Sequence, residues 1–186
     1  MTEKAIVLNS VDIRSMFMLL DTPRNRALFA IGLYTGLRIS DIIALPQAAV
    51  FTASRDVRST IVLKRSKKKI AVHIEIPIHD NLAAHLSEHR ATLPFGTWLF
   101  PSRSIPEKHI SRIQAHSILS TAFKQLKREG ASTHSMRRTF LVSLVRAGVP
   151  KRMVHSLSGL STISQLRDYR YDGPFDTNRA MLCLDY

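Results

Sequence analysis

The segment from Arg24 to Tyr34, RNRALFAIGLY, constrains this chain most. From Ala27 to Tyr34 it holds eight consecutive residues that are apolar or glycine, so a helix there is apolar almost all round. Such a helix offers no face to water and has to be enclosed by other elements. It is therefore expected to be a buried central helix, broken by Thr35-Gly36. The run is the longest apolar stretch in the chain, yet far short of the roughly 20 residues that span a bilayer. With 186 residues and 45% hydrophobic composition, the chain can enclose it in one compact domain and is not globally disordered.

The remaining elements follow from spacing and punctuation. Ser10 can cap a first helix over Val11 to Leu20, with Asp12 near its positive end. Ser40 to Leu45 reads as a short helix. Thr60–Leu63 and Ala71–Ile78 are rich in β-branched residues, and Lys64-Arg65-Ser66-Lys67-Lys68-Lys69 lies between them. This predicts a hairpin with a highly positive turn. Asn81 to Arg90 is helical, and Trp98-Leu99-Phe100 is a short apolar stretch ended by Pro101. From Ala115 to Arg128, Ile118, Leu119, Ala122, Phe123 and Leu126 fall at helical spacing, and Gly130 closes that helix. Further helices are expected over Met136–Arg146 (stopped by Gly148), Lys151–Leu157 and Thr162–Arg167. No internal repeat, low-complexity tract or long linker interrupts the chain. The expected fold is mostly α with a small antiparallel β-sheet inserted early (α+β).

Charge indicates the partner's sign. Lys and Arg total 27 against 14 acids, a net charge of +13. A compact body this basic favours a polyanion such as nucleic acid. A membrane surface is disfavoured, because no basic amphipathic anchor is evident. The N-terminus, MTEKAIVLNS, lacks the apolar centre of a signal peptide, and the single Cys183 forms no internal disulfide, so a reducing, cytoplasmic setting is expected.

Several chemistries lack their residues. The eight His show no HExxH or CxxC-type pairing, so no metal site and no cofactor is expected. Thr35-Gly36-Leu37-Arg38 lacks the glycines and the Lys-Ser/Thr of a phosphate loop. Asp41, Asp56, Glu75 and Asp80 are dispersed among basic residues, unlike the clustered carboxylates of a Mg²⁺ nuclease.

What remains is a set of cations and one well-spaced tyrosine. Three segments, AIGLYTGLRISDIIAL from Ala30, THSMRRTFLVSLVRAGVPKRMVHSLSG from Thr133 and LSTISQLRDYRY from Leu160, resemble the signature segments of the tyrosine recombinases, the phage integrase family. Arg38 matches the family's first arginine in a TGLRxSE/D-like turn, with Asp41 at the acidic place. His134-Ser-Met-Arg137 matches its His-x-x-Arg box. Gly148, Gly159 and Tyr169 keep the family's spacing to the nucleophile, and Lys67 matches its hairpin lysine. The resemblance runs from about Ser10 to Tyr169.

It implies the tyrosine recombinase catalytic-domain fold and site-specific cleavage and rejoining of double-stranded DNA through a 3′-phosphotyrosyl intermediate. It also implies the roles: Arg38 and Arg137 the phosphate clamp, Lys67 the general acid, His134 the base or positioner, Tyr169 the nucleophile. The chemistry fits these types, because Arg forks hold nonbridging oxygens bidentately and a tyrosyl phosphodiester conserves the energy of the broken bond. Lys64, Arg65, Lys68, Lys69 and Arg138 are expected to contact the DNA backbone.

Each residue also has a purely structural alternative. Arg38 can be a helix-cap arginine paired with Asp41, Lys67 a solvated turn residue rivalled by Lys64, Lys68 and Lys69, and His134 a helix-cap partner. Tyr171 rivals Tyr169, and His155 reads as a surface residue. Two positions depart from the family: Leu160 stands where His or Trp usually holds the phosphate, and Leu166 where threonine is frequent. Leucine has no donor, which leaves a slow enzyme or a recombinase-derived DNA-binding regulator as alternatives, beside a type IB topoisomerase-like enzyme. Residues 1–186 are read as a single catalytic domain without the family's N-terminal clamp. The tail from about 170 to 186 docks either on its own domain or on a neighbour in a homotetramer on paired sites.

Overall fold

Asn9, not Ser10, starts the first helix. The computed structural model of the protein describes residues 5–67, 70–105, 107–158 and Leu166, with the backbone alone for 64–67, 70–74 and 158. In helix α1, Ser10–Leu19, the Asn9 side chain accepts from the Asp12 N–H and the Asp12 carboxylate accepts from the Asn9 N–H. This reciprocal box satisfies two otherwise orphaned donors, which an isolated Ser10 cap cannot do. Asp12 is also paired with Arg128 at 3.3 Å.

Helix α2, Pro23–Thr35, is the enclosed helix expected from its composition. Thr22 caps it by accepting from Asn25 N–H, Pro23 pre-sets its first turn, and every residue from Ala27 to Leu33 is buried. The chain then forms α3, Ile39–Ile43, and a 3-10 turn at Gln47–Ala49. The hairpin follows as β1, Thr60–Lys67, paired antiparallel with β2, Ile70–Pro77. Its basic residues are not confined to the turn: Lys64 pairs with His73, Arg65 with Val72 and Lys67 with Ile70. The ladder runs on past Leu63 because backbone pairing is indifferent to the charge of the side chains it carries. Lys68 and Lys69 lie outside the described residues.

Helices α4 (Asp80–Thr92) and α6 (Thr133–Arg146) pack on α2, and α5 (Arg112–Gln125) closes the core against α1, α2 and α3. Phe29 lies between Phe17 and Phe123, with edge-on ring centroids at 5.0 and 6.4 Å. Ser111 and Gln114 form a capping box that starts α5 three residues before Ala115. Its end comes at Leu126, where Lys127 takes a left-handed φ of 53°, so Gly130 (φ 72°) belongs to the following turn instead of closing the helix. Helix α7, Lys151–Ser158, packs on α6. Val154, Leu141 and Leu166 form a second small core there, with Phe140, Leu144, Val145 and Val149 around it. Leu166 is thus accounted for by burial. Apart from it, the expected helix over Thr162–Arg167 lies outside the described residues. His155, read from sequence as a surface residue, is half-buried on α7 with its Nε2 enclosed. Among the described residues no helix is long and apolar enough to cross a membrane.

Two histidines make this core sensitive to acid. His89 is buried, stacks on Phe100 and shares a hydrogen bond with the Leu99 carbonyl at 2.8 Å. Burial lowers its pKa, opposed by the Leu99 bond and reinforced by Arg24. His85, stacked on Phe17, is lowered chiefly by burial, which outweighs Glu88. With folded pKa values below the unfolded one, the unfolded chain binds more protons between the two. Stability is therefore complete above about pH 6.5 and falls as pH drops below it, by up to roughly 1.4 kcal/mol per pH unit per histidine. Urea unfolding at pH 7.5 and 5.5 should show this loss, and His89→Gln should shrink it. An unchanged slope in that variant would exclude His89 as a source.

Candidate active site

The C-terminus of α2 is shaped by glycine. Gly36 adopts a left-handed φ of 63°, and its N–H closes on the Gly32 carbonyl. A Cβ at Gly36 would sit 2.4 Å from Phe140 Cδ1, and one at Gly32 would sit 2.8 Å from the Met136 thioether. These two positions let α2 and α6 approach closely. The Thr35 hydroxyl donates to the Ile31 carbonyl and accepts from Leu37 N–H, which holds the reversal.

Two residues later comes Arg38. Its backbone is extended (φ −69°, ψ 149°), and its carbonyl accepts from Asp41 and Ile42 N–H. It does occupy the cap position of α3, as the structural alternative requires, but its side chain makes no capping hydrogen bond and is exposed. Asp41 is half-buried in the first turn of α3.

Helix α6 supplies the opposing residues. Ser132, not His134, is its cap, in a box with Ser135. His134 is the second residue of the helix and is exposed. One turn on, Arg137 is 6% exposed, and its Nη1 donates to the Gly36 carbonyl at 2.6 Å. That single bond spans 101 positions of sequence and joins the His-x-x-Arg box to the turn before Arg38. Thr139, half a turn further, accepts from Leu8 N–H at 2.9 Å and donates to the Ser135 carbonyl, which ties the incoming chain to the same helix.

The structure thus brings Arg38 and Arg137 to one junction, with His134 at its exposed rim. Arg138 is half-buried beside it on α6. Lys67 is placed by its backbone alone, at the outer end of β1, as are Lys64 and Arg65 along it. Tyr169, Leu160 and the tail lie outside the described residues. Residue spacing does not reveal the Gly36 carbonyl as the acceptor that seats Arg137. The i,i+4 pair Gly32 and Gly36 on an otherwise bulky helix was the available signal. Among the described residues no group of three or more His, Cys, Asp or Glu is placed to hold a metal ion.

A mostly helical body with one two-stranded hairpin is the tyrosine recombinase catalytic-domain fold. It superposes on the crystal structure of XerA recombinase with a TM-score of 0.75 at 16% identity, over 98% of this chain and 66% of that one. The Tn1549 transposon integrase in complex with circular intermediate DNA gives 0.72 at 18%, over 97% and 66%. In sequence, the phage integrase family matches residues 7–173. The chain is 29% identical over 142 residues to tyrosine recombinase XerD of Caulobacter vibrioides, covering 74% of this chain and 46% of that protein. It is 32% identical over 124 residues to "Probable integrase/recombinase YoeC" of Bacillus subtilis, covering 67% and 64%. The chain belongs to the phage integrase family of tyrosine recombinases. It spans about half the length of the XerD relatives it matches.

Proposed function

We propose that this chain cuts and rejoins double-stranded DNA at specific sites through a 3′-phosphotyrosyl intermediate at Tyr169. The observation that carries the reading is the Arg137–Gly36 bond, which seats a buried guanidinium beside the turn bearing Arg38. Two such forks can grip the nonbridging oxygens and stabilise the charge that builds in the pentavalent transition state. The Tyr169 hydroxyl attacks phosphorus as the P–O5′ bond breaks. His134 takes the tyrosine proton and Lys67 gives one to the departing O5′. His134 stands at the amino end of α6, where the helix dipole favours the anionic phosphate. A free 5′-hydroxyl on a partner strand reverses the step.

The net charge of +13 supports a DNA partner, with Lys64, Arg65, Lys68, Lys69 and Arg138 on its backbone. The XerH recombinase, whose catalytic fold this chain shares at a TM-score of 0.66, was captured on its difH substrate before cleavage. Residues 1–186 act in this reading as one catalytic unit, four copies of which assemble on paired sites. Leu160 favours a second reading, a DNA-binding regulator of recombinase descent with slow or lost chemistry, since a lost transition-state hydrogen bond costs about 1–3 kcal/mol.

The deciding experiment uses nicked suicide duplexes built on the site that the protein selects from random-sequence DNA. Wild-type protein in EDTA should give a detergent-stable covalent adduct on that site. Selective binding without any adduct would establish the regulator instead. Relaxation of plasmid lacking the site would move the chain to the topoisomerase class.

A further inference from the structure

The hairpin that carries Lys67 is a lever. Its strands pair from Thr60 with Pro77 at the inner end to Lys67 with Ile70 at the outer end. At 3.3 Å per residue, the Lys67 backbone stands roughly 23 Å from the inner end. The core holds the inner end: Ile61 and Ile76 are fully buried, and Leu63 and Ile78 pack partly against it. A lone two-stranded ribbon has little stiffness of its own. A tilt of about 10° at its base would carry Lys67 some 4 Å, against the 2.6–3.2 Å reach of a proton donor. The fastening of the base therefore decides where the lysine arrives.

A surface stack adds to that fastening. Strand β2 leads through Ile78, whose N–H donates to the Ser59 carbonyl at 2.8 Å, directly into His79. The His79 ring lies on Tyr34, with centroids 5.1 Å apart and planes 17° apart. Asn81 Nδ2 donates to the Tyr34 hydroxyl at 3.2 Å, and His79 Nδ1 accepts from Asn81 N–H at 3.1 Å as the cap of α4. Tyr34 is on the last turn of α2, two residues before the carbonyl that seats Arg137. His79 and Asn81 are exposed, so core packing does not account for them, and Tyr34, half-buried against the core, presents its ring to the His79 side. Ser, Asp or Asn would cap α4 better than His but could not stack.

We propose that Tyr34 and His79 are positioning residues whose stack sets the tilt of the hairpin against the Arg38–Arg137 junction and so delivers Lys67 to the leaving oxygen. This rests on the assignment of Lys67 as proton donor.

The test compares two suicide duplexes, one with the natural bridging O5′ and one with sulfur in its place. On the sulfur substrate the tyrosine oxygen still forms its bond to phosphorus and the tyrosine proton goes to His134. The P–S pair leaves as a thiolate, which needs no proton. His79→Asn keeps the cap and removes the ring, and Tyr34→Leu removes the other face of the stack. Both should slow adduct formation on the oxygen substrate by about tenfold or more, yet stay within about threefold of wild type on the sulfur substrate. His79→Phe should restore most of the rate lost in His79→Asn. Lys67→Ala is the control and should also be rescued by sulfur. Equal slowing on both substrates, or none on the oxygen substrate, overturns the proposal. If Lys67→Ala is rescued and His79→Asn is not, the positioning role alone falls; if Lys67→Ala is not rescued, the lysine assignment falls and takes it along. A second measurement needs no activity. Spin labels at cysteines replacing Lys67 and Ser117, with Cys183→Ser, should give a distance distribution that shifts or broadens by several ångström with His79→Asn, and an unchanged distribution overturns the proposal.

Discussion

Tyr169→Phe is expected to abolish the covalent adduct while leaving DNA binding within about threefold of wild type. The substitution removes one oxygen and keeps the ring, so only the attacking atom is lost. Removing a nucleophile costs about 10⁴-fold or more, beyond the reach of a suicide-substrate gel, so the expected signal is absence. Tyr171→Phe on the same duplex should leave the adduct intact. The reverse pattern would move the nucleophile two residues along the chain, and retention of adduct in both variants would end the phosphotyrosine reading. Binding measured in parallel separates lost chemistry from a lost fold.

Arg137→Ala should cost both chemistry and stability, and the two losses have different origins. The guanidinium is buried with Nη1 on the Gly36 carbonyl. Truncation leaves that carbonyl without its donor, at about 1–3 kcal/mol of folding free energy. In the proposed reading it also removes one fork of the phosphate clamp, for which a loss of about 10²–10³ in cleavage rate is expected, as for a single oxyanion-hole donor. Arg137→Lys retains charge but offers no planar fork and should recover little of the rate. Arg38→Ala gives the contrast. Arg38 is exposed, and its side chain makes no capping bond, so its removal should slow cleavage comparably yet change stability by no more than about 0.5 kcal/mol. Urea unfolding and adduct kinetics on the same samples check the pair. If Arg38→Ala unfolds as readily as Arg137→Ala, the division of roles between the two arginines is wrong.

The candidate site could be proposed from sequence because its parts are local. The TGLR turn, the His-x-x-Arg opening of α6 and the spacing toward Tyr169 each lie within a few turns of chain, and order plus distance made the set specific. Element ends were less legible. Ser10 against Asn9 as the cap of α1, and Gly130 against Lys127 at the end of α5, differ by hydrogen bonds and a left-handed backbone that composition does not dictate. The reach of β1 through Lys64–Lys67 was missed because charge density suggests a turn, whereas strand pairing uses only backbone groups.

By itself the sequence determined that α2 had to be a buried central helix, since a stretch apolar on every side has no stable place but inside, and it determined the family and the identity of the candidate residues. Tertiary structure alone decided how those residues meet. That Arg137 seats on Gly36, that Gly32 and Gly36 admit Met136 and Phe140, and that His79 lies on Tyr34 depend on contacts between segments tens of residues apart. Such contacts depend on interhelical distance and side-chain shape, which periodicity along one segment does not encode.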